Sequence, residues 1–99
     1  MKAIKNSVAG TLESSDIQII IEPMENEGIE IELNSTVEKQ FGKQIRKVIK
    51  NTLEALKMDN VRVIATDQGA LDCVIKARVQ CASYRSAGIK ENYKWEAME

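Results

Sequence analysis

The chain has 99 residues, 43% of them hydrophobic and 29% charged, enough apolar material for one compact core and not for two. Its formal net charge is −1, which points to neither nucleic acid nor an anionic membrane; no apolar run nears the ~20 residues that span a bilayer, and MKAIKNSVAG lacks the apolar stretch of a secretory signal, so a cytoplasmic protein is expected. The absence of histidine removes the commonest general acid/base and the usual partner of a Ser or Cys nucleophile, which counts against an independent hydrolase.

Residues 7–13 are followed, after Ser14 and Ser15, by a segment in which Ile17, Ile19 and Ile21 share one face of a strand. This reads as a β-hairpin with Ser14 and Ser15 at its tip, since short serine and aspartate side chains bond to nearby backbone in turns. Gly10 marks either a bulge or a close backbone approach. Pro23, the single proline, ends the second strand, and Asn26-Glu27-Gly28 turns the chain. Ile29, Ile31 and Leu33 then alternate with Glu30, Glu32 and Asn34, the pattern of a third strand buried on one side.

Ser35-Thr36-Val37-Glu38 has the spacing of a capping box, with Ser35 placed to accept from the third helical N–H and Glu38 to reach back. A helix is expected from there, with Val37, Phe41, Ile45, Val48, Ile49, Leu53 and Leu56 forming one apolar face and Lys39, Lys43, Arg46, Lys47 and Lys50 populating much of the rest. After a turn at Asp59-Asn60, residues 61–65 are short and β-branched and read as a fourth strand, ended by Asp67-Gln68-Gly69. Residues 70–87 fit both a strand, through alternating Cys73, Ile75, Ala77, Val79 and Cys81, and a helix; length and alanine content favour the helix. The order strand, strand, strand, helix, strand, helix predicts an α+β fold. It is a single small domain over residues 1–87, a mostly antiparallel four-stranded sheet with two helices on one face, followed by a polar tail over 88–99.

Several residues have a plain reading beside a sharper one. Cys73 and Cys81 are eight apart, about 12 Å of helical rise, too far for a disulfide, and read as reduced core thiols. Without histidine they do not make a metal site. Glu13 and Asp16 flank Ser14 and resemble an acid/base pair, but solvated turn carboxylates are far commoner, and no catalysis is assigned to them. The basic side of the first helix is a solvated face before it is a docking face. Arg78, one of few charges in an apolar segment, is either half of an ion pair or a subunit contact. Tyr93 and Trp95 are interface anchors or part of a loose tail.

Three motifs carry a more specific message: Gly10-Thr11-Leu12-Glu13-Ser14-Ser15-Asp16, Ser35-Thr36-Val37-Glu38-Lys39-Gln40-Phe41-Gly42, and Gly69-Ala70-Leu71-Asp72-Cys73. In this order and spacing they resemble the acyl carrier protein of citrate lyase, its gamma subunit, and more distantly the malonate decarboxylase delta subunit. What the resemblance implies is a non-catalytic carrier of a lyase complex. Ser14 would be the cofactor-binding residue, esterified through phosphate to 2'-(5''-phosphoribosyl)-3'-dephospho-CoA, whose thiol carries acetyl or citryl during cleavage of citrate to acetate and oxaloacetate. It also implies three partners: an alpha subunit that transfers the acyl group, a beta subunit that cleaves the citryl thioester, and a holo-protein synthase that attaches the arm. No nucleic acid or membrane partner is implied. Some relatives have glycine where this chain has Ser15, which leaves a second hydroxyl beside the first. Two other functions compete: an unmodified structural or adaptor subunit, and the carrier of a malonate decarboxylase-like complex. An independent hydrolase using Ser14 would need a Lys or Asp base and a pocket that the sequence does not advertise.

Overall fold

A computed structural model describes residues 1–89 of the chain. Its elements follow the expected order: β1 (Ser7–Gly10), β2 (Ile17–Pro23), β3 (Ile29–Ser35), α1 (Glu38–Ala55), β4 (Val61–Asp67) and α2 (Asp72–Ser86). The four strands form one sheet in the order β1-β2-β4-β3. β1 pairs with β2 and β2 with β4 antiparallel, while β3 pairs with β4 parallel, so the long crossover through α1 joins the one parallel pair. The α+β expectation holds.

One face of the sheet is dry. Ile17, Ile19 and Ile21 of β2 lie beside Val61, Val63 and Ala65 of β4, and all six are fully buried against Ile49 and Leu53 of α1 and Ile75 and Val79 of α2. Alternation sends Gln18, Ile20 and Glu22 to the other face, which stays partly wet. There Val8, Ile20 and Ile64 line up across three strands between a polar row and an ionic one.

Three local readings need correction. The capping box does not form: the cap position is Val37, with no side-chain cap, because Ser35 is the last residue of β3 and its hydroxyl donates to Asp67 while accepting from the Val37 N–H. Phe41 is exposed rather than core, since α1 turns Gly42 and Ile45 inward at this level. Cys73 is exposed on the first turn of α2, and only Cys81 is partly covered; both thiols are free. β4 also runs to Asp67, two residues beyond the β-branched run. Tyr93 and Trp95 lie outside the described residues.

The helix reading of residues 70–87 is right, and the reason its pattern was mixed is visible. α2 is fastened along β1 by polar bonds as much as by apolar packing. Ser7 Oγ donates to the Ala82 carbonyl at 2.6 Å, Ser86 Oγ to the Lys5 carbonyl at 2.7 Å, and the Arg85 guanidinium to the Val8 carbonyl at 2.7 Å. Gln80, Ser83 and Ser86 are buried beside Ile75 and Val79, Ser86 with its hydroxyl bonded and Ser83 with its hydroxyl unpartnered among the described residues.

Gly10 closes β1 with φ +89°, and a Cβ built there would collide with the Ile17 carbonyl oxygen and crowd Arg78. The close-approach reading of this glycine is the correct one. Gly10→Ala is expected to destabilise the fold by at least about 2 kcal/mol, through left-handed strain plus displacement of the hairpin. A urea melt within a few tenths of a kcal/mol of wild type would contradict this.

Candidate functional site

The topology brings three connections to one end of the sheet: the β1–β2 hairpin, the β3–α1 link and the β4–α2 link. Ser14 is at the tip of the first and is exposed. The tip is a β-turn in which the Asp16 N–H donates to the Glu13 carbonyl at 3.2 Å, so Ser14 and Ser15 are its central residues. Ser15 has φ +64°, a left-handed conformation that costs a non-glycine residue about 1 kcal/mol.

What holds such a turn is a set of bonds converging on Asp16. Its carboxylate accepts from the Arg78 guanidinium at 3.1 Å (Nε to Oδ1) and 2.9 Å (Nη2 to Oδ2), a bidentate pair. It also accepts from the Thr11 hydroxyl at 2.6 Å, the Thr11 N–H at 3.2 Å and the Ile17 N–H at 2.7 Å. The Asp16 side chain is only 13% exposed. Hydrogen bonding to Arg78, then to Thr11, holds its carboxyl well below the usual carboxylate range against the opposing effect of burial. Asp16 is therefore not a solvated turn carboxylate, and Arg78 is half of an ion pair. Glu13 remains exposed.

The hairpin is also stapled to the β4–α2 link through backbone. The Ser15 N–H donates to the Gln68 carbonyl at 2.8 Å, and the Gln68 N–H donates back to the Asp16 carbonyl at 2.9 Å. That link is organised by Asp67, which is 1% exposed. Its carboxylate accepts from Ser35 Oγ at 2.8 Å, the Gly69 N–H at 3.1 Å and the Ala70 N–H at 3.0 Å, and its carbonyl accepts from the Thr36 N–H at 3.3 Å. One buried carboxylate thus ties the lead-ins of both helices together, and the hairpin leans on the result. Sequence reasoning missed the role of Asp67; its position at the end of a strand, before Gly69, was the only signal.

Chemically, this end presents two exposed serines, Ser14 and Ser15, and among the described residues no hydrogen bond joins the hydroxyl of either to a base. No group of three or more His, Cys, Asp or Glu residues among the described residues is disposed to hold a metal. A phosphodiester-linked group asks only for an exposed hydroxyl on a steady support with room beside it. The site meets this requirement: Ser14 is exposed, and a Cβ on neighbouring Gly69 would touch nothing within 4 Å. Between the first turns of the helices is a shallow recess of about 330 Å³ lined by Val37, Phe41, Gln44, Ala70, Leu71 and others. Lys39, Lys43 and Lys47 remain solvated, while Arg46 pairs with Glu38 at 3.9 Å and donates to the Ile31 carbonyl.

Breaking the clamp has a defined pH signature. Asp16 binds its proton more weakly in the folded chain than in the unfolded one, so its contribution is complete above the unfolded carboxylate value of about 4 and is lost as pH falls below it. Arg78→Met is expected to lower stability by about 1–2 kcal/mol at pH 7, the half-exposed guanidinium keeping the loss modest. The deficit relative to wild type should shrink at pH 2.5. Equal deficits at both pH values, read from urea melts, would contradict the assignment.

With that geometry in place, the similarities to known proteins can be stated. Residues 4–86 match the family described as ACP: Malonate decarboxylase delta subunit (MdcD). The citrate lyase acyl carrier protein of Vibrio cholerae is 49% identical over 98 residues, covering 99% of each chain. That of Latilactobacillus sakei is 54% identical over 90 residues, 91% of this chain and 87% of the relative. Among solved structures, a chain in the crystal structure of a Pseudomonas malonate decarboxylase hetero-tetramer in complex with malonate superposes with a TM-score of 0.68 over 82% of each chain at 14% identity. A homoserine kinase from Cytophaga hutchinsonii gives 0.59 over 88% of this chain but 35% of its own, at 11% identity. These last two show a shared fold and nothing more.

Proposed function

The chain belongs to the malonate decarboxylase delta-subunit family of acyl carrier proteins, with relatives of about 50% identity named citrate lyase acyl carrier protein, and from that premise we propose that Ser14 is the point at which its acyl-carrying arm is attached. An acyl carrier of this kind works through a covalently bound prosthetic group. The reading assigns that group as 2'-(5''-phosphoribosyl)-3'-dephospho-CoA, joined to Ser14 Oγ through a phosphodiester. When bound, it supplies a thiol at the end of a long tether on which acetyl or citryl is held as a thioester.

The chain's own contribution is placement. Arg78, Asp16 and Thr11 hold the turn, Gln68 braces it from the side, and Ser14 stands exposed at its tip beside Ser15. Tethering raises the effective concentration of the thioester at every site within reach, so an intermediate passes from an acyl-transferring alpha subunit to a citryl-cleaving beta subunit without release. The observation that carries the reading is the exposed Ser14 on a turn fixed from both sides, within Gly10-Thr11-Leu12-Glu13-Ser14-Ser15-Asp16. The Ser15 N–H is tied to the Gln68 carbonyl, and the choice of Ser14 over Ser15 rests on the motif. No helix among the described residues is long and apolar enough to cross a membrane, and the reading places the complex in the cytoplasm.

Protein purified from its native host with an active complex should weigh more than the bare polypeptide, with the adduct on the peptide that contains Ser14. Ser14→Ala should carry no adduct and support no citrate cleavage, while Ser15→Ala keeps both. Citrate cleavage that survives Ser14→Ala would instead favour the unmodified adaptor. Cleavage confined to malonate would favour the decarboxylase carrier.

A further inference from the structure

Both helices cover one face of the sheet, which leaves the other face open, and the centre of that open face is apolar. Val8, Ile20 and Ile64 form one row across β1, β2 and β4, with Glu32 of β3 at its far end. Val8 is 46% exposed, and Ile20 and Ile64 are half-buried. The row on the hairpin side is polar, with Gln18, Thr66 and Asn34. The row on the other side is ionic, with Glu22, Arg62 and Glu30, and Arg62 also approaches Glu32 at 3.6 Å. A sheet face turned to water ordinarily carries polar residues, so three aliphatic neighbours mark a strip that calls for a cover.

The described residues end at the edge of this strip. After α2, Gly88 adopts φ +76° and the Ile89 N–H donates back to the Tyr84 carbonyl at 2.9 Å, a turn that stops the helix. Ile89 thereby joins the rim of a recess of about 480 Å³ that Val8, Arg85 and Gly88 also line. Ile4, which is 64% exposed, borders the same turn, since a Cβ on Gly88 would lie 3.3 Å from its Cδ1. Two of the exposed large hydrophobic side chains, Ile4 and Val8, thus stand where residues 90–99 depart.

We infer that residues 90–99 cross the open face of the sheet as a strap, seating Tyr93 and Trp95 on Val8, Ile20 and Ile64. The two aromatic residues are two apart in the sequence, so an extended chain turns both rings to one side and Lys94 and Glu96 to the other. At ~3.3 Å per residue Tyr93 is about 13 Å along the chain from Ile89 and Trp95 about 20 Å, whereas strands ~4.8 Å apart put Ile64 only about 10 Å from Val8. The rings reach the strip with chain to spare. Charge does not choose the occupant: Lys90 and Lys94 oppose Glu91, Glu96 and Glu99 in the segment, while Glu22, Glu30, Glu32 and Arg62 lie on the face and Lys5 and Arg85 at its β1 edge. Burial of apolar surface is left to hold the strap. Three side chains, two of them already half-covered, fall well short of the ~800 Å² per partner that a stable contact between two copies buries. The polar row separates the strip from the hairpin end, so the inference stands whether or not Ser14 carries an arm.

The test uses the full-length unmodified chain. Trp95 is its single tryptophan, so fluorescence reads the seat directly, and its emission is expected to be blue-shifted from that of the urea-unfolded chain. Nuclear Overhauser contacts are expected from the indole protons to the methyl groups of Ile20 and Ile64. Val8→Thr and Ile64→Thr keep a β-branched side chain in the sheet while removing apolar contact. Each should move the emission back toward the unfolded value with the far-UV circular dichroism unchanged. Trp95→Ala should shift the Ile20 and Ile64 methyl resonances, a reading that stands even where a sheet variant fails to fold. Emission equal to that of the unfolded chain, or indole contacts only to other residues, overturns the inference. So do contacts found only between differently labelled chains, which would give the face to a second copy, and contacts that form only once another protein is added.

Discussion

Arg78 leaves α2 about two turns from its start and reaches back, along the direction helical side chains favour, to grip both oxygens of Asp16 at the base of the β1–β2 hairpin. Without this pair the hairpin would be a six-residue connection with a left-handed serine at its tip and little apolar contact to hold it. With it, a carboxylate that is nearly buried accepts from Arg78, from Thr11 and from the Ile17 N–H, and each bond removes a way for the turn to relax. The geometry explains why Gly10 must be glycine: β1 has to approach the Ile17 carbonyl closely for Thr11 to reach Asp16.

A second carboxylate does the complementary work. Asp67 is buried where the three connections meet and is satisfied by Ser35, Gly69 and Ala70, so both helix lead-ins are fixed relative to β4. The two acidic residues act in series: Asp67 shapes the link, Gln68 presents its backbone to Ser15 and Asp16, and Asp16 locks the tip. Neither has a role that requires it to give or take a proton. The result is a fixed mount. Such a mount suits a protein whose chemistry is done by others, because the reach of a tethered group is set by the arm and its origin should not wander.

Much of this was legible in the residues. Period-two alternation in Ile17, Ile19, Ile21 and in Ile29, Ile31, Leu33 gave the sheet, and the recurrence of Ile45, Ile49 and Leu53 gave α1. The hairpin tip at Ser14 and Ser15 followed from spacing alone. What stayed hidden was long-range and polar. α2 lacks a clean apolar stripe because Gln80, Ser83 and Ser86 are buried along with Ile75 and Val79, and Ser86 Oγ donates to the Lys5 carbonyl. The Ser35 motif looked like a cap because a serine before a helix is ordinarily one; here Asp67, 32 residues away, takes its hydroxyl. Asp16 and Arg78 are 62 residues apart, a separation no local pattern reveals. Ser15 was ambiguous as a second hydroxyl, and its φ of +64° puts it in the left-handed region that glycine favours.

The account claims that Ser14 stands on a fixed turn. Backbone 15N relaxation of the unmodified protein tests this most directly, because it reads the motion of each N–H in the hairpin. Order parameters at Ser14, Ser15 and Asp16 are predicted near the ~0.85 of rigid backbone, falling toward the flexible range below about 0.6 when Arg78 is replaced by Met. Values already below about 0.6 in the wild-type chain would contradict a fixed mount and make the hairpin tip a loose loop.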